Sequence, residues 1–209
     1  MIRLAVVGDI GSGKSHVAKQ FGYPVFNADA EVSKLYKTSR KCYNKLKIAL
    51  PNYITSFPVK KNNLSQAILA NKHNMKKIIK IVHPEVRLKM DSFIKKNRKK
   101  RMIVLDIPLL IENKINKKND ILVFVDADKK QINKRLKNRP NFNLKIVKKF
   151  KKLQLPLEIK KRKSNFIIKN NFRNNSIKKN VKRLAKRILL NAWNYTRHRD
   201  NRFIYYRKA

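Results

Sequence analysis

Ile2-Arg3-Leu4-Ala5-Val6-Val7-Gly8-Asp9-Ile10-Gly11-Ser12-Gly13-Lys14-Ser15 decides the fold. The apolar run Ile2–Val7 reads as a strand, and Gly8–Ser15 is a complete G-x-x-x-x-G-K-[ST] phosphate loop. After it, Val17, Ala18 and Phe21 recur at helical spacing. Strand, glycine turn and helix aim successive backbone N–H groups at one anionic group. Gly8, Gly11 and Gly13 let the backbone turn tightly and approach phosphate oxygens, with Ser12 and His16 completing the cradle. Lys14 is positioned to reach the β and γ phosphates, and the Ser15 hydroxyl to ligate Mg²⁺. The expectation is a nucleoside triphosphate site.

The chain has 209 residues and is 42% hydrophobic, enough for one buried domain with insertions. No apolar run is long enough to span a membrane, and the N-terminus enters a strand without room for a signal peptide. Cys42 is the only cysteine, which excludes an intramolecular disulfide, fits a cytoplasmic setting and reads as a buried thiol. The formal charge is +42, with 54 basic residues, of which 39 are lysine; 24 further residues are asparagine. Lysine spread along the whole chain, beside abundant Asn and Ile, reads as compositional drift of an A+T-rich coding sequence. Readers of nucleic acid cluster arginine with aromatics instead, so a nucleic-acid partner is disfavoured. Nothing in the sequence bears on oligomeric state.

A short second strand runs to Asp29, and residues 30–49 read as one helix with Val32, Leu35, Tyr36, Tyr43, Leu46 and Ile48 on its apolar stripe. Helical periodicity over Leu64–Leu69 and Met75–Val82 is interrupted by His83-Pro84 and resumes at Glu85. Met102–Pro108 and Ile121–Asp126 read as buried parallel strands, each ending near an acid. Helices at 129–138 and about 143–155, a strand at Phe166–Ile168 and a C-terminal helix from 177 to about 194 complete the pattern. That last helix carries Ile177, Val181, Leu184, Ile188 and Trp193 on one face. The alternation predicts an α/β fold, a parallel sheet with helices on both faces, whose ligands bind beyond the carboxyl ends of the strands. Asp29, Asp106 and Asp126 beside a phosphate loop form a phosphoryl-transfer constellation.

With these pieces in order, the chain resembles the dephospho-coenzyme A kinase family. The resemblance rests on Gly8–Ser15, Asn27-Ala28-Asp29, His83-Pro84-Glu85-Val86-Arg87 and Leu105-Asp106-Ile107-Pro108-Leu109-Leu110-Ile111-Glu112. It continues through Arg135-Leu136-Lys137-Asn138-Arg139, Gln154-Leu155-Pro156-Leu157-Glu158 and Ile167-Ile168-Lys169-Asn170. It implies transfer of the ATP γ-phosphoryl group to the 3′-hydroxyl of dephospho-coenzyme A, the last step of coenzyme A synthesis. The implied architecture is a single P-loop kinase domain over 1–209, with a core of 1–29, 96–137 and 164–209. A helical substrate-binding insertion would occupy 30–95 and a small helical lid 138–163.

The resemblance also implies roles. Asp29 would orient and deprotonate the attacking hydroxyl, although a strand-end Asp capping the next helix also accounts for it. Arg135 and Arg139, one helical turn apart, would neutralise charge on the transferred phosphoryl group as lid arginines. His83, Arg87 and Asp106 would contact the substrate, while Asp106 could instead serve Mg²⁺ or the phosphate-loop backbone. Gln154 and Lys160 would be lid contacts.

The chain departs from the family pattern in places. The Thr-Gly-Gly opening reads Val7-Gly8-Asp9, the first Asp of Asp-Ala-Asp is Asn27, and His16 stands for the common Thr. Leu-Asp-Arg in the insertion reads Leu64-Ser65-Gln66, and Pro140 follows the lid arginine in place of Asp. Tyr195, Phe203, Tyr205 and Tyr206 sit among basic residues in the tail, a pattern able to grip single strands but more simply a packing segment. Two rival readings are a P-loop kinase of another small hydroxyl acceptor and a basic ATP-dependent nucleic-acid-binding protein.

Overall fold

The computed structural model describes residues 1–139 and 142–191. The expectations for Pro140, Trp193 and the aromatic tail lie outside the described residues. The chain divides into two compact units, 1–27 with 97–142 and 150–209, and 28–96 with 143–149.

The first unit is built on a five-stranded sheet: β1 (Ile2–Gly8), β2 (Val25–Asn27), β3 (Met102–Asp106), β4 (Ile121–Asp126) and β5 (Phe166–Lys169). The order is β2-β3-β1-β4-β5, every neighbouring pair is parallel, and Leu4 pairs with Val104 on one side and Ile121 on the other. β1, β3 and β4 are near-continuous runs of buried apolar residues, as strands covered on both faces must be. Leu4, Val6, Val104 and Val123 pack with Val17 of α1 (Lys14–Gln20) and with Ile177, Val181, Leu184 and Ile188 of α9 (Asn174–Leu190). The α/β parallel-sheet expectation holds.

Three further helices belong wholly or partly to this unit. They are α6 (Lys129–Lys137), the last two residues of α7 (Leu144–Lys151), and α8 (Leu157–Arg162). Asp128 starts α6 by accepting from the Gln131 N–H at 3.0 Å. The helix expected over 143–155 therefore ends at Lys151, because Pro156 opens a new one.

The second unit is helical: α2 (Ala28–Thr38), α3 (Arg40–Ala49), α4 (Lys61–Ala70) and α5 (Lys72–Lys96), with residues 143–149, which carry the first six residues of α7. Leu35, Cys42, Leu46, Ile54, Leu64, Ile78 and Val82 form its core. Three expectations need correction here. Residues 30–49 are two helices, because Ser39 leaves helical geometry to cap α3, accepting from the Cys42 N–H at 3.1 Å. Ile48 is exposed, off the face that carries Leu46. His83-Pro84 does not interrupt α5: Pro84 lies on its exposed side, while Ile78, Val82 and Met90 keep the opposite face buried. One missing N–H bond is outweighed by that burial.

Candidate active site

The phosphate loop lies between β1 and α1, at the carboxyl edge of the central strand. Gly13 has φ +88°, a left-handed conformation, and a Cβ there would run into the Asn170 side-chain amide. Gly8 backs onto the Val125 carbonyl oxygen, which a Cβ would approach to 2.7 Å. The loop is closed by the Ser12 N–H donating to Asp9 O at 3.2 Å and the Val17 N–H to Gly13 O at 3.0 Å. Lys14 folds back over it, Nζ donating to Gly8 O at 3.2 Å and Asp9 O at 2.7 Å.

The loop after β5 seals the cradle from the side. Asn170 Nδ2 donates to Ser12 O at 2.7 Å, and Asn170 Oδ1 accepts from the Phe172 N–H at 2.8 Å. Phe172 has φ +60°, and the Arg135 guanidinium lies 4.5 Å over its ring centroid. Sequence reading gave Asn170 and Phe172 no role. The available signal was a polar turn placed directly after an apolar strand.

Two buried polar atoms of the cradle, Ser12 Oγ and His16 Nε2, have no hydrogen-bond partner among the described residues. Buried polar groups ordinarily find one, so the cradle has unused hydrogen-bonding capacity. Ser15 is exposed at the first turn of α1. Among the described residues no three His, Cys, Asp or Glu side chains cluster as a metal cage. One exposed hydroxyl without a carboxylate cage fits Mg²⁺ held largely by phosphate oxygens and water.

Asp9, the acid inside the loop, turns its carboxylate onto the loop: Oδ1 accepts from the Ile10 N–H at 2.7 Å, and Oδ2 lies 3.6 Å from Lys151 Nζ. Asp106 ends β3 as expected, is buried, and accepts a hydrogen bond from Asn27 Nδ2 across the β2–β3 register. The second strand itself ends at Asn27. Asp29 is thus not a strand-end residue but stands in the first turn of α2. Nor do Arg135 and Arg139 share a helical face, because α6 ends at Lys137 and Arg139 lies beyond it.

Lys14 and Gly8 line a recess together with Leu110, Glu112, Gln154 and Lys160. Lys160 Nζ lies 2.7 Å from Glu112 Oε1, which also accepts from the Leu155 N–H at 3.0 Å. Burial alone would raise the Glu112 carboxyl. The Lys160 hydrogen bond, backbone N–H donors and the Lys160 charge together hold it below the ordinary glutamate value.

Asp29, His83 and Arg87 belong to the second unit. His83 and Arg87 are one turn apart on α5. Burial, reinforced by the Arg87 charge, pushes the His83 imidazole below its usual pKa, so it is neutral at pH 7. Glu85 between them is held by Lys41 at 3.2 Å and Lys45 at 3.6 Å.

Residues 2–178 match the family model described as dephospho-CoA kinase. The chain is 32% identical over 194 residues to dephospho-CoA kinase of Wolbachia pipientis wMel, covering 90% of this chain and 99% of that one. To the Bartonella quintana enzyme of the same name it is 33% identical over 170 residues, covering 79% and 87%. Its fold is similar to a solved protein of Thermus thermophilus, with TM-score 0.73 and 23% identity over 90% of this chain and 97% of that one. The Campylobacter jejuni dephospho-CoA kinase structure matches with TM-score 0.59 and 20% identity over 89% and 96%.

Proposed function

We propose a reaction for this chain from one premise: it belongs to the dephospho-CoA kinase family. It transfers the γ-phosphoryl group of ATP to the 3′-hydroxyl of dephospho-coenzyme A, giving coenzyme A and ADP, the last step of coenzyme A biosynthesis. The observation that carries this is the cradle itself. Its glycines admit no Cβ against Asn170 and Val125, and Lys14 rests over it on carbonyls it can exchange for phosphate oxygens.

Gly8, Gly11, Ser12, Gly13 and His16 hold the phosphate chain, with Lys14 on the β and γ groups. The Ser15 hydroxyl would hold Mg²⁺, which would supply positive charge to offset that of the polyphosphate. Asp29 accepts the proton as the 3′-oxygen attacks the γ phosphorus and the β–γ bridging bond breaks. Its seat in the first turn of α2, beside Glu31, also suits helix capping, so a base role must be separated from a structural one. Arg139 and Arg135 neutralise the equatorial oxygens. Stacking on Phe172 occupies the face of the Arg135 guanidinium and leaves its edge donors for phosphate. His83, Arg87 and Asp106 bind the acceptor, His83 as a neutral imidazole. No described helix is long and apolar enough to cross a membrane, and we assign a cytoplasmic site of action.

An ADP-release assay with ATP, Mg²⁺ and dephospho-coenzyme A tests the reading. Turnover with adenosine or shikimate but none with dephospho-coenzyme A would sink it.

A further inference from the structure

Compositional drift spreads lysine evenly over solvent faces, but the charge of the first unit is not even. In a parallel sheet every segment that enters a strand lies at one edge, opposite the edge that carries the phosphate loop. Arg98, Lys99, Lys100 and Arg101 enter β3, Lys117 and Lys118 enter β4, and Arg162 and Lys163 enter β5; all are exposed. Strands lie about 4.8 Å apart, so the neighbours β3-β1-β4-β5 gather these cations along an edge roughly 15 Å wide.

Asp120 is the one acid on these entering segments, and it is committed internally. It is buried, its Oδ1 lies 2.9 Å from Arg3 Nε, and its Oδ2 accepts from Arg3 at 3.1 Å and from the Lys117 N–H at 2.9 Å. The other acids among the described residues of this unit stand elsewhere. Asp9, Asp106, Glu112, Asp126 and Asp128 end or follow strands at the opposite edge, and Glu158 opens α8. Like charges crowded without a counter-charge repel one another, and an extended polyanion relieves that repulsion.

The segment 192–209 names the kind of polyanion. It lies outside the described residues, but its composition reverses that of the rest of the chain. Up to Asn191 lysines outnumber arginines 38 to 11; after it arginines outnumber lysines four to one. Drift towards lysine does not produce this. The four arginines are interleaved with Trp193, Tyr195, Phe203, Tyr205 and Tyr206, residue types that stack on unpaired bases. An anionic membrane fits less well, because a face that lies on lipid needs a broad apolar stripe. Among the described residues entering the strands, Met1 is the one exposed large apolar side chain.

We infer that this amino edge of the sheet binds the phosphodiester backbone of single-stranded nucleic acid, without base preference. Total charge argues against such a partner, because drift explains it; the placement of the charge argues for one. The surface lies at the opposite end of the strands from the phosphate loop, so the two bind independently. The inference does not rest on the proposed reaction.

The test is fluorescence anisotropy of the full chain with a labelled 20-nucleotide oligouridylate over a salt series. Each phosphate contact contributes about −0.7 to the slope of log K against log salt for a single strand. The triple variant Lys99→Gln, Lys100→Gln, Lys118→Gln should therefore flatten the slope by about 2 and weaken binding at least about ten-fold at low salt. It should keep the parent's melting temperature and its kcat with ATP and dephospho-coenzyme A. The control Lys37→Gln, Lys72→Gln, Lys76→Gln removes the same charge from exposed sites of the second unit and should move binding less than about two-fold. Saturating ATP with Mg²⁺ should not displace the oligonucleotide. Equal losses in the two triple variants would make the binding a property of total charge and overturn the inference. So would displacement by ATP, which would put the strand on the phosphate loop, or a parent that fails to bind at low salt. Phosphatidylserine vesicles that bind the parent and lose the first variant, while the oligonucleotide does not, would make the edge a membrane face and overturn it too.

Discussion

The side-chain amide nitrogen of Asn170 fills the space that a methyl group on Gly13 would need, while donating to the Ser12 carbonyl oxygen at 2.7 Å. The two residues are separated by most of the chain, so the loop after β5 is a structural wall of the phosphate cradle. Gly13→Ala must therefore displace Asn170 and also hold alanine at φ +88°, a left-handed conformation costing about 1–2 kcal/mol. ATP affinity should fall about 100-fold or more, read by calorimetric titration, with a lowered melting temperature. Asn170→Ala removes the wall's hydrogen bond without the clash and should cost less, about ten-fold in ATP KM.

Asp9 puts a carboxylate within the phosphate loop, on the Ile10 N–H, and its partner Lys151 is partly solvated at 3.6 Å. A screened pair of that kind contributes at most about 1 kcal/mol. Asp9→Asn keeps an oxygen for the Ile10 N–H and removes the charge. ATP KM should fall several-fold at low salt, and the gain should shrink as the ionic strength is raised. An unchanged KM at low salt would mean that the Asp9 charge does not reach the nucleotide.

The sheet and the cradle were legible because each is written in consecutive residues. β-branched runs mark buried parallel strands, and a glycine loop followed by lysine marks the phosphate site. What escaped depends on partners distant in sequence. Nothing local to Pro84 says that burial of Ile78, Val82 and Met90 carries one helix through it. Nothing local to Glu112 names Lys160, and nothing near Asn170 names Ser12. Asp29 was misplaced for a local reason: Ala28 already begins α2, whose first turn favours an acid as much as a strand end does. The Arg135/Arg139 pairing failed where α6 stops at Lys137, with its cap at Asn138.

Because Asp29 sits in a helix's first turn, its two possible roles give different readouts. A general base contributes about 10²–10⁴-fold to turnover, whereas an acid at a helix start contributes about 0.3–1 kcal/mol of stability. Asp29→Asn should lower kcat by at least about 100-fold and leave ATP affinity and the melting temperature nearly unchanged. A variant that melts lower yet turns over normally would make Asp29 a helix-capping acid and remove it from the mechanism.

His83 supplies a pH signature. Its imidazole is held below the ordinary histidine pKa, first by burial and then by the Arg87 charge. Below about pH 6.5 the unfolded chain takes up a proton that folded His83 still refuses, so the unfolded state gains. The contribution is therefore fully present above about pH 6.5 and is lost as the pH falls through the lowered folded value. The melting temperature of the parent should decline from pH 7 towards pH 5, and His83→Gln, which cannot titrate, should flatten part of that decline. The KM for dephospho-coenzyme A should stay level between about pH 6.5 and 8, where the imidazole is already neutral. If instead that KM rises as the pH passes upward through about 6.5, His83 binds the acceptor as a cation. Burial would then not govern its charge once substrate is bound.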